Sequence, residues 1–140
     1  MEKYNKIYKY QLVRYIHDQS TSEFVNVGVI IYDSETNFLK SRFITKFDRV
    51  SNLFNNEPAV DYLKDVLKQF EDSINEISNL PNKFGDIQRI TSSILPKDDS
   101  ALQCTEVFAG VDCDFDSALT TLFDCLVNKY SYWKHIEEKL

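Results

Sequence analysis

Three polar side chains in two neighbouring segments have the types needed for binding or catalysis. Arg14, Glu23 and Asn26 lie within or beside two stretches that are rich in aromatic and β-branched residues. A guanidinium, a carboxylate and an amide can together bind a nucleotide or a peptide carboxylate, and a carboxylate can also act as a general base. In the alternative interpretation, Arg14 and Asn26 satisfy each other's hydrogen-bonding groups inside the fold. Both interpretations stay open at the level of sequence.

The other residue types that perform chemistry do not form a recognisable site. The two histidines, His17 and His135, are separated by most of the chain. Three cysteines, an odd and widely spaced number, favour reduced thiols over disulfides or a zinc site. The acidic run over residues 112–116 starts like a calcium loop but lacks its glycine and its final glutamate, so we interpret it as a helix cap. We predict no metal and no cofactor.

A β-hairpin positions the three polar residues. Residues 8–16 and 24–32 have strand-like composition, and the polar segment 17–22 between them predicts a loop. If the numbers of facing residues sum to 40, Arg14 faces Asn26, Leu12 faces Gly28 and Tyr8 faces Tyr32. In this register Gly28 lets another element approach the strand closely.

The rest of the chain predicts an α+β domain. Residues 38–44 read as a third strand and residues 102–111 as another, whereas residues 87–94 read as a short strand or an irregular segment. Apolar residues at helical spacing predict helices near 59–78 and 116–130. We therefore predict one domain over residues 1–140, in which an N-terminal antiparallel β-meander packs against two main helices.

Charge and hydropathy restrict the class of partner. The 140 residues carry 16 Lys and Arg against 22 Asp and Glu, a net charge of −6, which argues against nucleic-acid binding. The chain shows neither a secretory signal nor an apolar run long enough for a membrane span, so we predict a cytoplasmic protein. Tyr8 and Tyr10 lie in a locally basic strand, and this combination is typical of protein-interface anchors. A sheet that stacks nucleic-acid bases on these rings is the alternative.

Two segments of the hairpin resemble a known family. Residues 10–15 (YQLVRY) followed by residues 23–30 (EFVNVGVI) are similar to the opening signature of the bacterial domain-of-unknown-function family 3037. The resemblance extends more loosely over residues 102–127. It implies a small protein encoded beside a HipA-like serine/threonine kinase, the toxin class of some bacterial toxin–antitoxin modules. It implies no established chemistry.

Two hypotheses follow for the function. In the first, the chain is a non-enzymatic protein-interaction module, a partner or regulator of a HipA-like kinase in a toxin–antitoxin or bacterial defence operon. Its candidate binding residues are Tyr8, Tyr10, Arg14, Glu23 and Asn26. In the second, the chain is a small hydrolase or nuclease-like enzyme that uses Glu23 with Asn26 and Arg14. They differ in whether these polar side chains line an open cleft or are sealed in the core.

Overall fold

The N-terminal part of the chain forms a three-stranded antiparallel meander. The computed structural model describes residues 5–18, 23–48, 50–51, 57–81, 85–95 and 102–128. Strands β1 (Lys6–Asp18), β2 (Glu23–Asp33) and β3 (Phe38–Phe43) follow one another in sequence and pair in that order. The turn between β2 and β3 is fixed by the Asp33 carboxylate, which accepts hydrogen bonds from Thr36 N at 3.1 Å and Thr36 Oγ1 at 2.7 Å. The predicted meander is confirmed.

Two later strands complete a five-stranded sheet on the free side of β1. Strands β4 (Leu102–Cys104) and β5 (Phe108–Asp112) both pair antiparallel with β1, and the sheet order is β3-β2-β1-β4, with β5 beside the first half of β1. The sequence predicted one strand over 102–111. It is interrupted at Thr105, whose hydroxyl replaces a backbone carbonyl as the acceptor for Leu12 N at 3.0 Å.

Helices cover both faces of the sheet. Helix α1 (Glu57–Ser78) and helix α2 (Ile87–Ile94) lie on one face, and helix α3 (Phe115–Phe123) lies on the other and continues into a π-helical turn, Asp124–Asn128. The predicted helices near 59–78 and 116–130 correspond to α1 and to α3 with this turn, within the described residues. None of the described helices has the length and apolarity that crossing a membrane would require.

The expectation of a strand or irregular segment over 87–94 is wrong, because these residues form α2. Its N-cap is Asp86, whose carboxylate accepts a hydrogen bond from Gln88 N at 3.0 Å. Ile87, Ile90 and Thr91 repeat at intervals of three and one, so they share one buried face of the helix. Burial of that face and the cap override the high β-propensity of isoleucine and threonine.

The hairpin register agrees with the predicted one only from Arg14 to Ile16, in three of its nine residue pairs. Arg14 pairs with Asn26, as the sequence predicted. The next pair is Val13 with Gly28, so Val27 is an extra residue in β2, a β-bulge. Beyond the bulge every pair is displaced by one position.

The predicted pairs on the far side of the bulge are therefore wrong. Leu12 faces Val29, Tyr10 faces Ile31 and Tyr32 faces Lys9. The bulge places Val27 in the core under α1 and turns the next residue, Gly28, toward the same side, where the Phe43 ring lies. An ideal Cβ on Gly28 would be 2.3 Å from Phe43 Cδ1, so only glycine fits at this position.

The side chains on the two faces of the sheet form two separate cores. The core under α1 and α2 is the larger, and its central members include Val13, Val27 and Ile30 from the sheet with Phe70 and Ile74 from α1. The core under α3 contains Leu12, Val29 and Ile31 with Phe115 and Leu119, among others. Alternate residues of β1 and β2 thus serve opposite faces, which is why β2 is apolar almost throughout.

We expect the substitution Gly28→Ala to lower the free energy of unfolding by about 1–3 kcal/mol, because the new methyl group overlaps the Phe43 ring. Chemical denaturation measures the change. The double variant Gly28→Ala with Phe43→Leu is the matched control. It should lose less stability than the sum of the two single changes, since the smaller side chain makes room for the methyl group. Additive losses would show that this contact does not require glycine.

Candidate functional site

The two polar residues predicted to face each other do so at the centre of the sheet. Arg14 and Asn26 are a cross-strand pair immediately beyond the bulge, on the face that α3 covers. Asn26 is only 5% exposed, whereas Arg14 is half-buried. The strands hold both side chains in fixed positions, because pairing on both sides of β1 leaves little backbone freedom there.

The hydrogen bonds of this pair join the hairpin to the C-terminal helical segment. Arg14 Nε donates to Asn26 Oδ1 at 3.1 Å, and Asn26 Nδ2 donates to the carbonyl oxygen of Leu126 at 3.0 Å. The Arg14 guanidinium also stacks on the Phe24 ring, 4.3 Å from its centroid. Asn26 thus uses both its acceptor and its donor within the protein, as a buried amide must to avoid a desolvation penalty.

Glu23, the third member of the predicted site, begins β2 and pairs with Asp18 in the register of the hairpin. It is three residues from Asn26, about 10 Å along an extended strand. Its side chain and that of His17 lie outside the described residues. The structure therefore brings Arg14 and Asn26 together, and a role for Glu23 stays a prediction.

The predicted aromatic anchors lie under and beside α3. An interface anchor has to be accessible, but Tyr8 is only 7% exposed and packs edge-on against Phe115 at 5.9 Å between centroids. Its ring also covers Gly110, where an ideal Cβ would be 2.3 Å from Tyr8 Cζ. Burial raises the pKa of Tyr8, with smaller contributions from Tyr10 and from the carboxylate of Asp112. Because Phe115 and Gly110 cover the Tyr8 ring, this side chain stabilises the fold and is not accessible to a partner.

Tyr10 is only half-buried and fits the expectation better. Its ring lies 5.4 Å from that of Phe108 and 5.9 Å from that of Tyr8, so the three rings form a row across β1 and β5. Such rows stabilise cross-strand pairs in sheets. The row lies where β5 pairs with the first half of β1, away from Arg14 and Asn26.

A buried polar network on the opposite face was not predicted from the sequence. Gln11 is 2% exposed, donates from Nε2 to the carbonyl oxygen of Thr105 at 2.7 Å, and accepts at Oε1 from Thr91 Oγ1 at 2.7 Å. The network ties β1 to α2 and to the break between β4 and β5. A polar residue between Tyr10 and Leu12 in an apolar strand was the signal that could have revealed it.

A small cavity lies beside this network and contains the thiol of Cys104. Its volume of about 20 Å³ has room for a single water molecule, and its lining includes Gln11, Gln88, Gln103 and Cys104. Burial raises the pKa of the Cys104 thiol to about 12, although a hydrogen bond with Thr91 lowers it. A thiol that stays protonated is a poor nucleophile. The cavity is therefore too small for a substrate, and its thiol is unsuited to attack one.

The acidic run before α3 caps that helix, as the sequence predicted. Asp114 is the N-cap, and its Oδ1 accepts from Asp116 N at 3.0 Å and from Ser117 N at 3.3 Å. Asp116 pairs instead with Lys40, with 2.6 Å between Nζ and Oδ1. No group of three His, Cys, Asp or Glu side chains suited to a metal occurs within the described ranges.

We expect Asn26→Ala to lower the free energy of unfolding by about 1–3 kcal/mol, because it removes hydrogen bonds to both Arg14 and the Leu126 carbonyl group. Arg14→Ala should also destabilise, by removing one of those bonds and the stacking on Phe24. Thermal or denaturant unfolding of both variants tests this. Unchanged stability together with lost partner binding would instead make the pair a binding site.

Cys104 should resist alkylation in the folded protein. At pH 8 a thiol with a pKa of about 12 has a thiolate fraction roughly a thousandfold lower than a thiol with a pKa of about 8.5. Cys113 and Cys125 are exposed, so they should react with iodoacetamide first. Mass spectrometry of the folded and the urea-unfolded protein measures the order. Cys104 reacting as fast as the other two in the folded protein would contradict its burial.

Comparison with known proteins identifies the family and nothing more specific. The family model described as "Protein of unknown function (DUF3037)" matches residues 10–127, from the first part of β1 to the π-helical turn. No curated protein and no solved structure matches the chain. The matched range includes the Arg14–Asn26 pair, the core under α1 and α2, the core under α3 apart from Tyr8, and the polar network around Gln11. The chain therefore belongs to the DUF3037 family.

Proposed function

We propose that the chain is a non-enzymatic protein-interaction module, a partner or regulator of a HipA-like kinase in a bacterial toxin–antitoxin or defence operon. One contrast carries the proposal: the polar groups of Arg14 and Asn26 are used to hold the fold together, while apolar side chains lie exposed on the sheet. In an active site, by contrast, the reactive polar groups have to be accessible to a substrate.

The exposed apolar side chains form a cross-strand pair. Ile7 of β1 is 63% exposed and faces Val111 of β5, which is 60% exposed. Large apolar side chains that lie together on a surface are typical of binding sites, whereas isolated ones are common on any protein. The pair is at the end of the sheet that α1 and α2 leave uncovered, on the face opposite the row of aromatic rings formed by Tyr8, Tyr10 and Phe108.

The charge of the chain favours a protein as the partner. A net charge of −6 opposes the approach of a phosphate backbone and favours association with a basic protein surface. The choice of a HipA-like kinase as partner rests on the family resemblance alone, which implies that such a kinase is encoded nearby. The family name adds no activity that would point elsewhere.

Co-expression with the product of the neighbouring gene tests the proposal. We expect the tagged chain to co-purify with a HipA-like kinase in a stable complex and to change the kinase's rate of phosphoryl transfer. The complex should survive about 0.5 M salt, because apolar contacts are not screened. An unrelated tagged protein of similar net charge is the control.

Two results would contradict the proposal. One is the absence of a complex with the neighbouring product at any salt concentration. The other is hydrolysis of a nucleotide, phosphoester or peptide by the purified chain, lost in the variant Glu23→Gln. The second result would establish the enzyme hypothesis instead.

A further inference from the structure

The two edges of the sheet differ in how they are protected. Edge strand β3 carries Lys40, which pairs with Asp116, and Arg42, whose guanidinium lies 4.5 Å from the centroid of the Phe123 ring. Charged side chains on an edge strand prevent it from pairing with a strand of another protein. Strand β5, at the other edge, has the sequence FAGVD and contains neither lysine nor arginine nor proline.

The outer edge of β5 is open within the described part of the chain. Its only described strand partner is β1, so alternate backbone N–H and C=O groups point away from the sheet without a described acceptor or donor. Ala109 and Val111 are exposed, and Val111 lies beside the exposed Ile7 of β1, its cross-strand partner. An additional strand beside β5 would pair with the free backbone groups and cover these apolar side chains.

Acidic residues flank this open edge on both sides. Glu106 precedes β5 and is exposed, Asp112 ends the strand, and Asp114 follows it. Glu106 and Asp112 are about 20 Å apart along an extended chain, the length of a strand of about seven residues. The basic side chains nearby, Lys6 and Lys9, belong to β1 and lie one strand further in.

The acidic flanks argue against a second copy of this chain as the occupant. Antiparallel pairing of two β5 strands about Gly110 would place Glu106 of each copy opposite Asp114 of the other. Like charges directly opposite each other destabilise a strand pair. A strand from a different protein, with basic residues at its ends, would instead place opposite charges beside these acidic residues, which stabilises the pairing.

We propose that β5 is a docking strand to which an extended segment of a partner protein adds as a sixth strand. This rests on the proposed function and specifies its partner by chemistry. The segment carries small or β-branched apolar side chains at alternate positions, against Ala109 and Val111, and lysine or arginine at its two ends, opposite Glu106 and the pair Asp112 and Asp114. Backbone hydrogen bonds supply affinity, and the alternate side chains and end charges supply specificity.

A labelled peptide tests the proposal directly. It has about seven residues, with lysine at both ends and valine alternating with threonine between them. Fluorescence anisotropy measures its binding, and amide hydrogen exchange locates it. We expect protection of amides in residues 108–112 and about tenfold weaker binding to the variant Val111→Lys. A peptide with glutamate at both ends should also bind more weakly, and more so at low salt.

Matched variants separate this edge from the rest of the surface. Tyr62→Lys, at an equally exposed apolar residue on α1, should leave peptide binding unchanged. Ala109→Lys is a second change on β5, for use if Val111→Lys alters the melting temperature. The proposal is wrong if the peptide does not bind at about 1 mM, if the β5 variants bind it as well as the unaltered chain does, or if the protected amides lie outside β5.

Two further outcomes distinguish this proposal from the proposed function. If the kinase complex forms equally well with Val111→Lys, the interaction module stands and docking on β5 is wrong. If the chain alone is a dimer that Val111→Lys dissociates, a second copy occupies the edge and the proposed partner segment is wrong.

Discussion

Strand β1 has hydrogen-bonding partners on both of its sides, because β2 pairs with one side while β4 and β5 share the other. Helices also cover both faces of its central part, residues 11–15, so the side chains there are removed from water in two directions. Apolar residues gain from this burial, whereas each polar residue requires a partner inside the protein. Most of the structure's specific features are ways of meeting that requirement.

Gln11 and Asn26 show how the requirement is met on the two faces. Gln11 is satisfied by Thr91 of α2 and by the carbonyl group of Thr105, which fixes α2 and the break between β4 and β5 relative to β1. Asn26 is satisfied by Arg14 and by Leu126, which fixes the C-terminal helical segment. Buried polar networks of this kind select one arrangement among several that would bury similar apolar area. Each network thus sets the position of one helical layer.

The same requirement makes the central pair, Arg14 and Asn26, poorly suited to bind a ligand. A pair that is needed to attach a helix is not free to bind a ligand without cost to the fold. The surface that remains available is at the margin of the sheet, where β1 extends beyond the helices and β5 forms an edge. There the backbone offers hydrogen-bonding groups and Ile7 and Val111 offer apolar area. The proposed binding surface is therefore at the β5 edge of the sheet, whereas the polar pair at the centre of the sheet stabilises the fold.

The sequence by itself determined the elements with strong periodicity or strong local signals. The hairpin, the third strand, α1 and the cap at Asp114 are each encoded within a short segment, and the pairing of Arg14 with Asn26 followed from alternation near the loop. The DUF3037 family was likewise readable from the residues of the hairpin. Local patterns suffice where the interaction that decides the structure is itself local.

Only the tertiary structure decided the rest, because the deciding contacts are distant in sequence. The bulge at Val27 depends on the Phe43 ring occupying the space beside Gly28, and α2 depends on a buried face and on Thr91 reaching Gln11, 80 residues away. The exposure of a side chain has the same origin. Tyr8 is buried because Phe115 of α3 and the Gly110 backbone lie against its ring, whereas Val111, on the adjacent strand, points to the other face, where no described helix covers it.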